Sequence, residues 1–569
     1  MPSARSLPPY LLALVLVSVF LASAVTPASA QRAPSVTPYD VIIEGGRIVD
    51  GTGNAWFPGD VGIRGDRVAA ITPPGMLRDA DAKTRVDATG KVVSPGFIDI
   101  QSHSRFNFLG QGDGRVVSKV TMGVTTEIMG ESTTNAPVGE GYAEPGQSFS
   151  GPRAFDAWIR AMEEHGASVN FGSFVGATTI RMLGKGQAMG PANRTQLAVM
   201  KDGVRNAMED GAFGIGSALI YPPGNFASTE ELIEINKAAA PYGGVYITHM
   251  RSEADQFLEA IDEAIRIGTE AGVPVEIYHL KAGGRRNWHK AALAVAKIDS
   301  ARAAGVDVQA NMYPYTAGGT GLTACFPPWA SADGKLFDNL ASPEMRAKIR
   351  QEIEHQTEEW ENLCGLASPE GVLLLGFNKP ENRKYSGRYL SDVSAELGKD
   401  WIETAFDLVL DERQRIGTIY FLMSEENVAM QIGQPWIKFG TDAGGLDPAR
   451  AGGLSHPRAY GTFSRILGKY VREEGATTLE EAVRKMSSAV ATRLHIRDRG
   501  LLKEGFYADV VIFDPETVGD LATYERPHQL SVGIEHVFVN GVAVVRDGAH
   551  TGALPGMAVR GPGWSGWAY

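Results

Sequence analysis

The sequence reads GVYITHMRS at residues 244–252 and, thirty residues further on, PVEIYHLKA at residues 274–282. In each segment a short β-branched and aromatic run ends at a histidine, and the residues between the segments have the apolar spacing of an amphipathic helix. A strand, a helix and a second strand form one repeat of a parallel α/β sheet. The segments therefore predict neighbouring parallel strands whose last residues, His249 and His279, lie at the same edge.

The same alternation of strand and helix continues in both directions. Eight candidate strands can be delimited, at residues 93–103, 123–131, 168–178, 212–221, 244–249, 274–279, 307–315 and 436–442. Eight is the strand number of a (β/α)8 TIM-type barrel, in which reactive side chains lie at the carboxyl ends of the strands. The 120 residues between Tyr315 and Trp436 exceed one helical crossover. We therefore predict a lid-like insertion between strands 7 and 8, at about 318–415, over the mouth of the barrel.

The two ends of the chain share a different pattern. Short β-branched runs broken by Gly and Asp, at residues 39–50, 61–68, 508–513 and 536–541, are typical of hairpins in a small sheet. We predict that residues 31–92 and 491–569 together form a small β-sandwich domain, and that the barrel occupies residues 93–490 between them.

Residues 1–30 have the pattern of a signal peptide. Arg5 is the only charge before an apolar run at residues 11–24, and Ala28-Ser29-Ala30 matches a small-x-small cleavage site. The apolar run is shorter than the roughly 20 residues that span a bilayer. We expect cleavage near Ala30, an exported protein in the periplasm or the medium, and no stable membrane anchor on the mature chain; an uncleaved anchor is the alternative.

Composition narrows the chemistry that is open to the chain. A hydrophobic share of 43% excludes a disordered or fibrous protein, and a net charge of −12 argues against a nucleic-acid partner. The two cysteines, Cys325 and Cys364, are too few for a disulfide framework or a four-cysteine zinc site, and whether they pair is open. Any metal chemistry must therefore rest on histidines and carboxylates. The oligomeric state is also open.

The polar residues at the predicted strand ends suggest a metal site. Two neutral imidazoles on adjacent strands, His249 and His279, can bind one ion. Asp442 ends the eighth strand within KFGTDAGG at residues 438–445. A carboxylate beside a metal-activated water can take a proton and return it to a leaving group. Without the histidines, Asp442 would be interpreted as a turn residue before glycines.

Further motifs, taken in order, resemble those of the amidohydrolase superfamily. They are SPGFID at 94–99 leading to His103, GTD at 440–442, GFYADVV at 505–511 and VNG at 539–541. YPP at 221–223, THMR at 248–251, HLK at 279–281, YPY at 313–315 and HPRAYGTF at 456–463 make the N-acyl-D-amino-acid deacylases, or D-aminoacylases, the closer match. The resemblance extends from about Tyr39 to the C-terminus.

The resemblance implies a zinc hydrolase that cleaves N-acyl-D-amino acids, which are small molecules, to a carboxylate and a free D-amino acid. His249 and His279 match the ligands of one tightly bound zinc, and Asp442 matches the general base that activates water and protonates the leaving amine. The residues that match the binding site for the substrate carboxylate are Arg458, Lys281 and Tyr221. An arginine fork suits a carboxylate, and a lysine adds a point charge.

The chain departs from the family pattern at two metal positions. Gln101 stands where the first of two histidines is usual, so we expect a single occupied site, with His103 as the remaining histidine of the weaker one. IMGEST at 128–133 lacks the usual cysteine, and Glu131 is expected to supply a carboxylate ligand in its place. This exchange makes the site harder, which leaves Mn²⁺ or another divalent metal open beside Zn²⁺.

A third departure concerns the substrate. Gly319 stands where deacylases often have a serine that binds the carboxylate. The side-chain preference is therefore expected to differ, and Phe326 and Trp329 in the insertion suggest apolar or aromatic groups, with simple packing as the alternative.

Two other functions stay open. One is a sibling amidohydrolase that acts on another amide: a D-residue dipeptide, a cyclic imide or an N-acyl aromatic amino acid. The other is a metal-poor relative that binds a ligand without catalysis, which the changes at Gln101 and Glu131 motivate. The preference for the D configuration rests wholly on the resemblance.

Overall fold

The computed structural model describes residues 38–139, 148–355 and 359–566. The predicted signal peptide and its cleavage site lie outside the described residues. Within those three ranges, no helix combines the length and the apolar character that crossing a membrane requires.

Strands and helices alternate through most of the chain, as the sequence predicts. The strands are β1 (Tyr39–Ile48), β2 (Phe57–Arg64), β3 (Arg67–Thr72), β4 (Ala82–Asp87), β5 (Val92–Pro95), β6 (Phe97–Asp99), β7 (Val124–Met129), β8 (Asn170–Ser173), β9 (Val175–Gly176), β10 (Gly214–Ala218), β11 (Val245–His249), β12 (Val275–Ile277), β13 (Val308–Met312), β14 (Ala317–Gly321), β15 (Val372–Leu374), β16 (Gly417–Phe421), β17 (Ile437–Phe439), β18 (Val510–Phe513), β19 (Ile534–Val539), β20 (Val542–Arg546) and β21 (Ala549–His550). The α-helices are α1 (Val117–Val120), α2 (Ala154–His165), α3 (Ala177–Gly184), α4 (Arg194–Glu209), α5 (Thr229–Ala239), α6 (Phe257–Ala271), α7 (Lys290–Ala303), α8 (Leu336–Ala341), α9 (Pro343–Glu354), α10 (Leu363–Ala367), α11 (Leu390–Leu397), α12 (Trp401–Glu412), α13 (Glu425–Ile432), α14 (Arg458–Arg465), α15 (Leu479–Met486) and α16 (Ser488–Arg493).

Two parallel sheets contain the strands predicted around the histidine segments. Their orders are β17-β13-β12-β11-β10-β9 and β6-β7-β8. A parallel bridge between Ser102 and Ala443 follows the ends of β6 and β17, and a single residue separates β8 from β9. The register pairs Thr248 with Ile277, so His249 and His279 leave the sheet at one edge. These strands are buried and lie against amphipathic helices, as is typical of parallel sheets.

The first predicted strand, 93–103, is divided between two sheets. Val92–Pro95 pairs with β1 and β18, and only Phe97–Asp99 joins the parallel sheet. Gly96 separates them, and a Cβ there would lie 2.0 Å from Thr125 Oγ1. Because the partner of β5 comes from the far end of the chain, no local pattern could predict this division.

The amphipathic helix predicted between the two histidine segments is α6, which begins at Phe257. The Ser252 hydroxyl accepts hydrogen bonds from the backbone N–H groups of Ala254 and Gln256, which holds these residues in a turn instead of a helix. The preceding helix, α5, begins directly after Ser228, whose side chain accepts the backbone N–H of Glu231.

A nine-stranded sheet combines both chain ends. Its order is β21-β20-β19-β18-β5-β1-β2-β3, with β4 paired to β1, and the antiparallel pair of β5 and β18 joins the two parts. The last described residues leave this sheet, contrary to the prediction that they belong to it. Phe171 of β8 donates its N–H to the carbonyl of Met557 and accepts that of Val559.

The segment between β13 and β17 has a sheet and a core of its own. Its antiparallel sheet has the order β14-β16-β15, and buried side chains such as Leu340, Phe406 and Tyr420 pack around it. Cys325 and Cys364 form a disulfide within this segment. The predicted insertion at 318–415 falls inside it, and the folded segment extends to Phe421 at the end of β16.

Candidate metal centre

A cavity of about 730 Å³ opens at the carboxyl ends of the parallel strands. Every residue that the sequence assigned to the site lines this cavity, namely His103, Glu131, Tyr221, His249, His279, Lys281, Asp442 and Arg458. They come from seven different segments of the chain, so only the fold brings them together. The inserted segment contributes Thr320, Arg415 and Tyr420 to the same wall.

Glu131, His249 and His279 form a compact trio of ligand atoms. Glu131 Oε1 lies 3.5 Å from His249 Nδ1 and 3.6 Å from His279 Nε2. Ligand atoms placed 2.0–2.2 Å from a tetrahedral ion lie about 3.3–3.6 Å from one another. The three side chains therefore fit a divalent metal ion. Burial alone would raise the pKa of Glu131, but the two imidazoles outweigh it and hold this pKa well below its ordinary value.

Gln101 determines which oxygen of Glu131 faces the histidines. Its amide Nε2 donates a 2.6 Å hydrogen bond to Glu131 Oε2, the oxygen that lies 3.5 Å from His103 Nε2. The other oxygen of Glu131, Oε1, is thereby free to face His249 and His279. His103, Glu131 and Asp442 form a second group of ligand atoms within 4.8 Å of one another. In that group Glu131 Oε2 already accepts the hydrogen bond from Gln101.

Glu253 lies behind His279 and was not identified from the sequence. Its Oε1 lies 2.9 Å from His279 Nδ1 and accepts a hydrogen bond from Lys281 Nζ at 2.6 Å, and the same Nζ lies 2.7 Å from Nδ1. A proton on Nδ1 leaves the Nε2 lone pair free for a metal, which is the usual arrangement of a carboxylate behind a histidine ligand. Burial opposes the charge on Glu253, but Lys281 and the two histidines outweigh it and lower its pKa.

We expect Glu253→Ala to weaken metal binding by 10–100-fold, because His279 loses the partner that fixes its tautomer and ring orientation. The dissociation constant of the metal, measured by competition with a chelator, checks this. Glu259→Ala on the exposed face of α6 is the control. Equal metal affinity in the two variants would contradict a positioning role for Glu253.

Asp442 lies between a histidine and an arginine. Its Oδ1 is 2.8 Å from His103 Nε2, and its Oδ2 is 2.7 Å from Arg458 Nη1. Burial would raise the pKa of Asp442, but Arg458 and His103 outweigh it and lower this pKa, so the carboxylate is ionised and can accept a proton. The backbone of Asp442 has a φ of 48°, a left-handed conformation that is uncommon for non-glycine residues and that aspartate adopts more readily than most.

A buried lysine fixes the loop that carries Asp442. Lys119 Nζ contacts Asp99 Oδ2 at 2.7 Å, and it donates to Thr441 Oγ1 and to the carbonyl of Ala443. Thr441 itself donates to Asp99. These contacts hold the residues on both sides of Asp442, so the position of its carboxylate is set by groups that face away from the cavity.

Arg458 has unused hydrogen-bonding capacity at the cavity wall. It is buried, yet its Nε and Nη1 make no aligned hydrogen bond, although Nη1 is close to Asp442. His456 Nδ1 accepts the backbone N–H of Arg458, and His456 Nε2 contacts the carbonyl of Ala317 at 2.9 Å, which ties Arg458 to β14. The Tyr313 ring lies 4.7 Å from the Arg458 guanidinium. An incoming carboxylate would satisfy the free donors.

Two other predicted carboxylate-binding residues are already engaged. Lys281 contacts Glu253, and the Tyr221 hydroxyl donates to Thr320 Oγ1 at 2.8 Å. Burial raises the pKa of Tyr221 to about 12, so it is a neutral donor. A Cβ at Gly319 would lie 3.5 Å from Arg458 Nη2. Position 319 therefore faces the arginine.

The aromatic residues that suggested an apolar specificity are not in this cavity. Phe326 packs against Phe406, and Trp329 donates its indole N–H to Glu352 at 2.7 Å. Neither side chain shapes this cavity, and their contacts support the packing alternative. Besides Glu253, sequence reasoning missed Tyr313, although YPY at 313–315 marked its position, and Arg415, which no pattern signalled.

Known proteins resemble this chain over most of its length. A family model described as "Amidohydrolase family" matches residues 435–545. A D-aminoacylase of Alcaligenes xylosoxydans xylosoxydans is 35% identical over 530 residues, which are 92% of this chain and 98% of that protein. An N-acyl-D-glutamate deacylase of the same organism is 34% identical over 512 residues, covering 89% and 93% of the two chains.

Solved structures show the same relationship. A D-aminoacylase, studied for its binuclear metal centre with one-metal activation and second-metal attenuation, superposes with a TM-score of 0.76 at 33% identity. The N-acyl-D-glutamate deacylase of Bordetella bronchiseptica, complexed with zinc and a phosphonate mimic of the tetrahedral intermediate, gives 0.75 at 31% identity. Each comparison covers 92% of this chain and 100% of the other.

Proposed function

Because the chain belongs to the D-aminoacylase family of amidohydrolases, we infer that it is a metal-dependent hydrolase of N-acyl-D-amino acids. The products are a carboxylate and a free D-amino acid. The observation that carries this inference is the placement of a three-residue metal trio, the carboxylate of Asp442 and the underused guanidinium of Arg458 in one cavity.

Glu131, His249 and His279 are the candidate metal ligands. We propose that they bind one divalent ion, with zinc as the first candidate. Such an ion lowers the pKa of water and polarises the amide carbonyl. The donor set of two imidazoles and one carboxylate suits zinc and also admits manganese.

Asp442 acts as the general base and then the general acid. Its ionised carboxylate takes a proton from the attacking water and delivers it to the nitrogen of the leaving amine, so one side chain serves both halves of the reaction. His103 contacts Oδ1 and fixes the orientation of the carboxylate. Arg458 contacts Oδ2 through Nη1, and the remaining hydrogen-bonding capacity of its guanidinium binds the α-carboxylate of the substrate.

We expect Arg458→Met to lower kcat/KM for N-acetyl-D-amino acids by about 30-fold or more, because a buried charge-assisted contact to the substrate carboxylate is lost. Activity on the corresponding methyl esters should change much less. Because Arg458 holds the pKa of Asp442 down, the acidic limb of the pH profile should also move to higher pH. Equal losses on acid and ester would contradict carboxylate binding by Arg458.

The architecture supports a finer division of the chain, which we also propose. The parallel strands, with β8 and β9 counted as one, constitute a (β/α)8 barrel of eight strands. The sheet of both chain ends is a small β-sandwich domain, and the segment with the disulfide acts as a lid beside the cavity. We further propose that residues 1–30 direct export and are removed near Ala30. A disulfide agrees with an oxidising compartment outside the cytoplasm.

Release of amine from paired N-acetyl-D- and N-acetyl-L-amino acids tests the function. The mature chain is supplied with zinc or manganese, and the pairs include Met, Leu, Phe, Asp and Glu. We expect release from the D members. If the chain binds one metal ion but releases amine from neither series, the proposed substrate class is wrong and the enzyme acts on a different amide.

A further inference from the structure

Two arginine side chains other than Arg458 reach the cavity. Arg105 donates to the carbonyl of Thr133 and, at 3.0 Å, to its hydroxyl, and Arg415 donates to Thr320 Oγ1. In the part of the chain that the structure describes, neither guanidinium forms an ion pair with a carboxylate. Both guanidinium groups donate to neutral oxygens, so neither positive charge is neutralised by a carboxylate among the described residues.

Arg415 is held in place although its residue is exposed. A Cβ at Gly321 would lie 2.5 Å from Arg415 Nε, so the arginine side chain occupies the space that the glycine leaves open. Its guanidinium also lies 5.7 Å from the centre of the Tyr221 ring. Tyr221 donates to the same Thr320 hydroxyl that Arg415 contacts. These contacts point the cation toward the cavity.

Arg415 and Arg458 both contact the same strand, β14. Arg458 Nη2 donates to the carbonyl of Gly319, at 3.2 Å, and Arg415 contacts the side chain of the next residue, Thr320. Both residues of β14 line the cavity. A molecule whose α-carboxylate binds Arg458 therefore has a second cation nearby.

The charges around the cavity do not cancel. The cations that line it are Arg105, Lys281, Arg415 and Arg458, and the carboxylates are Glu131, Glu253 and Asp442. Lys281 is paired with Glu253, and Arg458 with Asp442, while Glu131 belongs to the metal trio. Arg105 and Arg415 remain, and a divalent ion adds further positive charge. Such a cavity favours an anion with more than one charge.

We propose that Arg415 binds a second carboxylate of the substrate. This proposal rests on the proposed function and narrows it to N-acyl-D-amino acids that are dianions. The second carboxylate belongs either to the amino-acid side chain, as in D-glutamate, or to the acyl chain, as in a succinyl group. Similarity to known deacylases does not decide whether the substrate has a second carboxylate. The D-aminoacylase and the N-acyl-D-glutamate deacylase resemble the chain about equally, at 35% and 34% identity.

Two pairs of substrates of matched size distinguish the two sources. The first pair is N-acetyl-D-glutamate and N-acetyl-D-glutamine, and the second is N-succinyl-D-methionine and N-succinamoyl-D-methionine. In one of the two pairs we expect the kcat/KM of the acid to exceed that of its neutral amide by about 10-fold or more, as a charge-assisted contact implies. The pair that shows this preference identifies the part of the substrate that has the second carboxylate. Arg415→Gln should reduce that preference to near unity and leave the neutral member unchanged, and Arg415→Lys should restore part of it.

Arg413→Gln is the matched control. Arg413 lies two residues away on the same segment, and its guanidinium is 4.8 Å from the Phe337 ring, outside the cavity lining. This variant should keep the wild-type preference. A wild type that hydrolyses the neutral amides without preferring either acid would overturn the assignment of Arg415 alone, as would equal losses on acid and amide in Arg415→Gln. Failure to hydrolyse any of the four would overturn the proposed function and this proposal with it.

Discussion

Replacing Asp442 by asparagine is expected to lower kcat by about 10³–10⁴-fold, toward the upper end of what general acid–base catalysis contributes, since one carboxylate serves both proton transfers. Asparagine has nearly the same shape, and its oxygen can still accept a hydrogen bond from His103. It cannot accept the proton of the attacking water. Binding of substrate and metal should therefore change little.

Rates with N-acetyl-D-amino acids, metal content per chain and the melting temperature check this prediction. Asp411→Asn, at an exposed carboxylate of α12 that pairs with Lys379, is the control and should behave like the wild type. A rate close to that of the wild type in Asp442→Asn would show that another group moves the proton. A variant that loses its metal would show instead that Asp442 is a ligand.

The second large effect is expected at Glu131. Glu131→Ala removes one of the three groups that form the metal trio and leaves two imidazoles facing an unfilled position. We expect less than one metal ion per chain after dialysis and a fall in kcat/KM of about 10³-fold, because the activation of water depends on the ion. Elemental analysis and steady-state kinetics measure the two effects.

Two further variants separate ligation from positioning. Glu131→Cys supplies a thiolate and should keep zinc while losing affinity for manganese, because a softer ligand favours zinc. Gln101→Ala removes only the hydrogen bond to Glu131 Oε2 and should weaken metal binding about 10-fold. Wild-type metal affinity in Glu131→Ala would exclude Glu131 as a ligand.

The parts of the fold that local sequence patterns describe could be predicted. The segments that end at His249 and His279 form adjacent strands, because alternating strands and helices with apolar faces specify a parallel sheet. The division of the segment 93–103 could not be predicted, since Val92–Pro95 pairs with β18 from the other end of the chain. The late start of α6 depends on the Ser252 side chain, which competes with the helix.

The same distinction applies to the candidate site. Residues inside recognisable motifs, such as Asp442 and Arg458, could be selected from the sequence, and both line the cavity. Glu253 is four residues from His249 but contacts His279, because the turn after β11 directs it toward the neighbouring strand. Arg415 reaches the cavity from a segment with its own sheet and core. Its position follows from tertiary packing, which no spacing in the sequence shows.

The sheet shared by both chain ends determines the order in which the protein can finish folding. Pro95 in β5 pairs with Val510 in β18. The N-terminal part of this sheet is therefore synthesised long before the C-terminal strand that pairs with it. Residues that follow the sheet then close over β8 through Met557 and Val559. Until these residues exist, both the shared sheet and the contacts along β8 stay incomplete. The last part of the chain to be synthesised is therefore needed to complete structure that begins with the first strands.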